Sequence, residues 1–316
     1  MSNTSKQVIS LFYNHVTVLD YAYLDYHKGL VGESYIIDVE FIGVTDEEGI
    51  LYDFSHCKKK VKEIIDRECD HRFVVPESFL KNKKELFYGD SCHLNYDCPD
   101  EALCVVPHVS AVNVSTLTSH LEYLVMKEMP KTVTAVQLRF RREESLHEDG
   151  EKKFFFHYTH GLKQHYGNCQ RLFHGHRSTV SVFKNGVRSS ELEEILVCEK
   201  LKNSIHFCFW ENVHPEDKRK IKRATDLEDI EIEGILNADD SNEEEIGKNV
   251  RIEYKSSQGT FRATLPLKDV YFLQEESTVE NLSKHFAKIL KDEDFDDSIL
   301  EVRAFEGIGK GALTTL

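Results

Sequence analysis

The segment from Phe156 to His176 holds the side chains best suited to chemistry: His157, His160, His165, Cys169, His174 and His176. His174 and His176 are two residues apart, and on a β-strand that spacing turns both imidazoles to one face. A third histidine would complete a set of three nitrogens. Three histidines around an open fourth position form the donor set of a catalytic zinc site. Such an ion polarises a substrate oxygen and lowers the pKa of a bound hydroxyl or water. His157, His160 and His165 compete for the third place on spacing alone. Cys169 is a candidate nucleophile or base, because a thiol beside a metal cation is partly thiolate. The plainer alternative is a histidine-rich strand with surface imidazoles.

These groups need elements to hold them. Tyr35 to Ile42 largely alternates apolar and polar residues, as a half-buried strand does. A helix is expected from about Asp53 to Cys69, with Phe54, Cys57, Val61, Ile64 and Ile65 on one face and Asp53 as its cap. Another is expected to begin near Ser277, where Ser277 and Glu280 fit a capping box and Leu282, Phe286, Ile289 and Leu290 form an apolar stripe. The two halves echo each other. Gly32-Glu33-Ser34 before the strand at Tyr35 parallels Gly175-His176-Arg177-Ser178 before Thr179. Ser115 to Leu121 parallels Ser277 to Leu282, and each precedes a helical pattern and then a strand, Val133 to Phe140 and Ile299 to Phe305. This order points to an ancient duplication. The charged run Arg141 to Lys153 marks a boundary, giving domains 1–145 and 146–316. An acidic insertion is expected at about 216–247. Within it, Asp226 to Glu245 holds ten carboxylates and no basic residue, which reads as an exposed loop or disordered insertion.

The chain has 316 residues, and its 40 basic against 55 acidic residues give a net charge of −15. That balance argues against a nucleic-acid partner, which needs a basic face to neutralise phosphates. At 40% hydrophobic and 30% charged, the chain suits a soluble globular protein with a real core. No apolar run approaches the roughly 20 residues of a membrane helix. Met1 to Ser10 lacks the apolar stretch of a signal peptide, so no membrane partner and a cytoplasmic location are expected. The eight cysteines form no CxxC pair, against both a disulfide framework and a cysteine-rich zinc module.

Several motifs together resemble the family of 6-pyruvoyltetrahydropterin synthases and 6-carboxytetrahydropterin synthases. Phe156-His-Tyr-Thr-His160 is similar to the family's F-x-A-A-H. Cys169 followed by His174-Gly175-His176 is similar to its cysteine and H-G-H. Gly49 to Phe54 is similar to its G-M-V-x-D-F, and Asp70-His71 to its D-H pair. Ser277 to Asn281 is similar to its T-x-E-N helix start, and Glu306 to its C-terminal strand glutamate. The family carries these motifs in one domain, whereas here they are divided. The first half keeps Asp53-Phe54 and Asp70-His71, but Val31-Gly32-Glu33 stands where H-G-H is expected, so its metal site is lost. The second half keeps the histidines, Cys169 and Glu306, and has no D-H pair between Trp210 and Gly247, the place expected to match. Four residues separate Cys169 from His174, where close bacterial relatives often have three.

The resemblance implies an α+β fold of two tandem T-fold domains, each an antiparallel four-stranded sheet with two helices on one face. It implies zinc held by His160, His174 and His176, with 7,8-dihydroneopterin triphosphate as the small-molecule pterin substrate. Cys169, as thiolate, would remove a side-chain proton. His71, oriented by Asp70, would act as general acid or base. Glu306 would anchor the pterin ring, and Thr278 would help bind it. Complementary loss in the two halves would leave one composite site per domain pair, formed within a chain or between neighbours. T-fold sheets close into barrels by association, so a homo-oligomer is expected. The implied product is the 6-carboxytetrahydropterin of deazapurine (queuosine-type) routes. A 6-pyruvoyltetrahydropterin synthase or a non-catalytic pterin-binding paralogue are the alternatives.

Overall fold

A computed structural model describes residues 7–82, 84–88, 92–148, 150–201, 205–236, 248–293 and 298–316. The first half opens on two long strands, β1 (Ile9–Asp25) and β2 (Gly29–Gly43), paired antiparallel from Ile9↔Gly43 to Asp25↔Gly29. Helix α1 (Phe54–Glu68) starts on Asp53, whose carboxylate accepts the Ser55 N–H at 2.8 Å, as expected of a cap. The helix is a crossover, so the next strand, β3 (Phe73–Pro76), returns parallel to β1. There follow α2 (Glu77–Lys81), β4 (Glu85–Tyr88), β5 (Cys92–Asp97), β6 (Leu103–Val106), α3 (Val114–Met126) and β7 (Val133–Arg141). The sheet order is β6-β3-β1-β2-β7. Cys57, Val61, Ile64 and Ile65 of α1 and Leu117, Leu121 and Val125 of α3 bury against Leu19, Ile37, Val39 and Phe41.

The second half repeats this plan. It comprises β8 (Phe155–His160), β9 (His174–Lys184), β10 (Val187–Arg188), α4 (Ser190–Glu194, continued by a π-helix over Ile195–Leu201) and β11 (Ile205–Phe209). Then come α5 (Pro215–Thr225), β12 (Gly234–Ile235), β13 (Asn249–Ser256), β14 (Gly259–Pro266), β15 (Val270–Leu273), α6 (Val279–Glu293), β16 (Leu300–Phe305) and β17 (Gly311–Thr315). Its central order, β15-β11-β8-β9-β16, matches the first half strand for strand. Leu196, Val197 and Leu201 join Leu282, Phe286 and Leu290 of α6 over Phe156, Val180 and Val302. The expected tandem α+β pair is therefore present. Its sheets are larger than four antiparallel strands, because each helical crossover adds a parallel strand.

Two features join the halves. The β13–β14 hairpin pairs with β5 of the first half (Arg262↔Asp97, Ala263↔Tyr96, Thr264↔Asn95). Beneath it, Phe73, Phe79 and Tyr96 share a core with Phe173, Trp210, Phe261 and Phe272, and the Tyr96 and Phe173 rings lie 4.5 Å apart. Elsewhere β2 crosses β9 so closely that a Cβ on Gly32 would collide with the Tyr158 carbonyl oxygen and lie 2.5 Å from the His176 nitrogen. Only glycine fits that crossing. Of the acidic stretch, the part up to Leu236 is described. It is no loose loop: Ile232 is buried, β12 pairs with β15, and the Gln274 amide donates to the carbonyls of Asp229 and Ile232 at 2.7 Å. Residues 237–247 lie outside the described residues. Among the described residues, no helix is long and apolar enough to cross a membrane.

Candidate metal and acid–base site

His160 closes β8 and pairs with His174 at the start of β9, and His176 lies opposite Tyr158. This register selects His160 as the third histidine. The ligand atoms of His160, His174, His176 and Glu306 all lie within 4.8 Å of one another. His157 turns away, with Nδ1 2.7 Å from the Gly32 carbonyl oxygen, and His165 is exposed beside the Tyr166 carbonyl. All three clustered imidazoles are fully buried. His160 Nδ1 lies 3.0 Å from both the carbonyl and the hydroxyl oxygen of Ser277, and His174 Nδ1 lies 3.0 Å from the Arg171 carbonyl. Those acceptors call for the Nδ1–H tautomer, which leaves a lone pair on Nε2. The Nε2 atoms of all three are buried without a hydrogen-bond partner. Three such acceptors in one place are costly unless something else satisfies them. Burial and the neighbouring imidazoles hold His160 and His174 well below the usual histidine pKa, so both stay neutral, as metal ligands must. The donor set fits a divalent transition metal. Glu306 Oε1 stands 3.9 Å from Nε2 of both His160 and His176.

The first half brings the acid–base pair. After α1 the chain turns through Asp70 and His71, and His71 adopts a left-handed conformation (φ 55°). Such a conformation is uncommon in a non-glycine residue and persists where surrounding contacts impose it. Here the His71 N–H donates to the Asp20 carbonyl at 2.7 Å, and the Asp20 N–H donates to Asp70 Oδ1 at 3.0 Å. Asp70 Oδ2 lies 2.6 Å from His71 Nδ1. The His71 ring stacks on His174 at 5.2 Å, and His71, Cys169 and His174 bring their ligand atoms within 4.8 Å of one another. Burial opposes a charge on His71, but its hydrogen bonds to Asp70 and Cys169 outweigh burial and push its pKa up to about 10. The pair thus meets the histidine cluster within one chain. Counted back from the equivalent strand residues Phe73 and His206, Asp70-His71 corresponds in sequence to Asn203-Ser204. The missing D-H pair therefore belongs upstream of the Trp210–Gly247 window, and it is missing there too.

Cys169 sits in a 3-10 turn, Gly167–Gln170, and its carbonyl accepts the Leu162 N–H at 2.9 Å. Gln170 fastens the turn, accepting from Tyr254 at 2.7 Å and from Ser257 at 2.9 Å. Arg171, a possible phosphate ligand by type, is buried, and its guanidinium donates to the His71 carbonyl at 3.3 Å.

Three residues complete the surroundings. Glu306 follows β16, and its N–H donates to the Lys310 carbonyl at 3.0 Å. Asp20 on β1 escaped the sequence reading. It is buried, 3.3 Å from His176 Nδ1 and 3.5 Å from Lys310 Nζ. A lone carboxylate in the apolar run Val18 to Tyr23 was the available signal. Burial alone would raise its pKa, but His176, Lys310 and His71 hold it well below the carboxylate range. The cap of α6 also differs from expectation by one residue. Thr278, not Ser277, accepts the Asn281 N–H at 3.3 Å, because Ser277 is turned to His160.

The chain matches the sequence model of 6-pyruvoyl tetrahydropterin synthase twice over, at residues 19–135 and 150–314. A curated relative from Pyrococcus horikoshii, named "Putative 6-carboxy-5,6,7,8-tetrahydropterin synthase", is 29% identical over 86 residues. The match takes in 27% of this chain and 52% of the relative, so the chain spans about half the length of the curated relative it matches. A solved catalytic-residue mutant of Plasmodium vivax 6-pyruvoyltetrahydropterin synthase aligns at 16% identity with a TM-score of 0.31, over 42% of this chain and 99% of its own. The Plasmodium falciparum enzyme aligns at 16% identity with a TM-score of 0.34, over 42% of this chain and 98% of its own. With both halves matched, the chain belongs to the 6-pyruvoyl tetrahydropterin synthase family.

Proposed function

We propose that the protein is a zinc-dependent pterin synthase acting on 7,8-dihydroneopterin triphosphate, with 6-carboxy-5,6,7,8-tetrahydropterin as its product. One observation carries this reading: three buried, unpartnered Nε2 atoms converge where Asp70-His71 and Cys169 also meet. The name of the Pyrococcus horikoshii relative supports the carboxy product over the pyruvoyl one. His160, His174 and His176 would hold the zinc, which supplies Lewis-acid polarisation of the substrate's side-chain oxygens. Cys169 takes the side-chain proton, its sulfur lying within 4.8 Å of ring nitrogens of both His71 and His174. His71 exchanges the second proton, and Asp70 holds its ring by Nδ1. The Glu306 carboxylate accepts the adjacent N–H and amino donors of the pterin edge. The domains divide at 1–145 and 146–316. The enzyme works in the cytoplasm as a homo-oligomer, with the edge strands β7 and β17 as the natural pairing surfaces.

The test is to load the purified protein with zinc, add 7,8-dihydroneopterin triphosphate and read the product by mass spectrometry. The carboxy product with acetaldehyde release is expected. A 6-pyruvoyl product would move the protein to the other branch of the family. Bound zinc with no substrate consumed would make it a non-catalytic pterin-binding protein.

A further inference from the structure

We propose that Asp20, on the half that lacks a metal site, is a positioning residue that orients His176 for metal binding. The inference rests on the metal-site reading above. Each clustered imidazole presents Nδ1 to an oxygen. For His160 and His174 that oxygen comes from Ser277 and Arg171, both in the second half. For His176 the nearest is Asp20 Oδ1, the one carboxylate of the set, at an ion-pair distance of 3.3 Å and without the alignment of a hydrogen bond.

Asp20 is held from several sides. The Ser34 hydroxyl donates to Oδ1 at 2.5 Å, and Lys310 Nζ lies 3.5 Å from Oδ2. Its own N–H and C=O are tied to Asp70 and His71. Gly307 passes so close that a Cβ there would lie 2.5 Å from Oδ1, and its φ of +68° also favours glycine. Asp20 therefore joins His176, the Asp70-His71 turn and the Glu306–Lys310 turn in one buried knot. A carboxylate on Nδ1–H fixes the ring's tautomer and angle and raises the basicity of Nε2.

The internal symmetry places an acid beside an imidazole twice, although on the second side the imidazole Nδ1 is 2.7 Å from the Gly32 carbonyl oxygen. Ladder register equates Asp20 with His157 and His176 with Glu33. His157 Nδ1 lies 3.4 Å from Glu33 Oε1, so the acid and the imidazole have changed places. The crossing thus builds an acid–imidazole contact between halves on both sides, and on one side that imidazole faces the metal cluster.

The experiment is a zinc titration of the full-length, metal-stripped protein against a chromophoric chelator. Asp20→Asn keeps the shape and removes the charge. Its zinc affinity should fall about 10- to 100-fold while thermal unfolding still shows a folded protein. His157→Gln disturbs the equivalent contact and should leave zinc affinity unchanged. Ser34→Ala, which frees one Asp20 oxygen, should weaken zinc in the same direction by less, and it serves if Asp20→Asn does not fold. Unchanged affinity in a folded Asp20→Asn, or in Ser34→Ala if Asp20→Asn does not fold, would overturn the proposal. So would an equal loss in His157→Gln. If the unsubstituted protein takes up no zinc, the metal-site reading itself fails instead.

Discussion

Two pockets of side chains lie on either side of the Gly32–Gly175 crossing, and they are twins by register with opposite chemistry. On the live side His160, His174 and His176 point bare nitrogens at one another, with Glu306 beside them. On the silent side the same ladder positions hold Tyr23, Val31 and Glu33, and Arg142 stands where Glu306 does. Glu33 is buried and bound to Arg142 at 2.8 Å, and Arg177 lies over the Phe155 ring at 3.5 Å. Burial raises the Glu33 pKa against the pull of Arg142, and burial pushes His157 down to about 4. The silent side pairs its carboxylate with an arginine, though Glu33 Oε2 and one Arg177 guanidinium nitrogen are buried without a hydrogen-bond partner. The live side is left with three nitrogens that only a ligand can satisfy. A duplicated fold has kept the geometry twice and the chemistry once.

Breaking the live side should have the largest effect. His174→Ala should take zinc from one ion per chain to none, read by elemental analysis, and abolish turnover. A retained ion would show that the silent side or another group binds metal. His71→Gln should keep the zinc and lower kcat by about 10²- to 10⁴-fold, the usual worth of a general acid or base. The raised His71 pKa has a further consequence in the metal-stripped protein. Protonated His71 adds stability that is complete below the unfolded histidine pKa of about 6.5 and is lost as pH rises through about 10. The melting-temperature gap between the parent and His71→Gln should close across that window. A gap that is constant with pH would remove the charge from the argument.

Breaking the silent side should cost stability alone. Glu33→Gln should lose roughly 2 kcal/mol in urea unfolding, as the carboxylate charge that faces Arg142 is removed, while zinc stays at one per chain. A changed zinc affinity would mean that the two sides are coupled. The smallest effect separates the equivalent helix starts. Asn113→Ala and Thr278→Ala each remove a cap, Asn113 accepting the Thr116 N–H at 3.0 Å, and each should cost about 1 kcal/mol. Thr278→Ala should leave KM unchanged if capping is its whole role. A raised KM would place Thr278 at the pterin.

Much of this was readable from local pattern. The 3.6-residue stripe on α1 and its Asp53 cap are short-range features, and the helix formed as the stripe required, except that Phe54 in its first turn is exposed. The HxH pair declared its common face because strand side chains alternate with period two. The choice among His157, His160 and His165 was not readable, since it depends on the register between β8 and β9. The Ser277 cap was misread because its hydroxyl found His160, a partner that no local window contains.

The amino-acid sequence by itself determined the duplication, the helices α1, α3 and α6, the family, and which half keeps the histidines and which the Asp-His pair. The duplication and the helix stripes are properties of spacing, the family and the division of its motifs rest on their resemblance to known ones, and none of these needs a long-range contact. Only the tertiary structure decided that the divided motifs meet inside one chain. That meeting depends on β14 pairing with β5, on two glycines letting β2 and β9 touch, and on a shared aromatic core. The same contacts gave Asp20 its place beside His176. Such contacts follow from how two sheets twist and pack, which no run of neighbouring residues encodes.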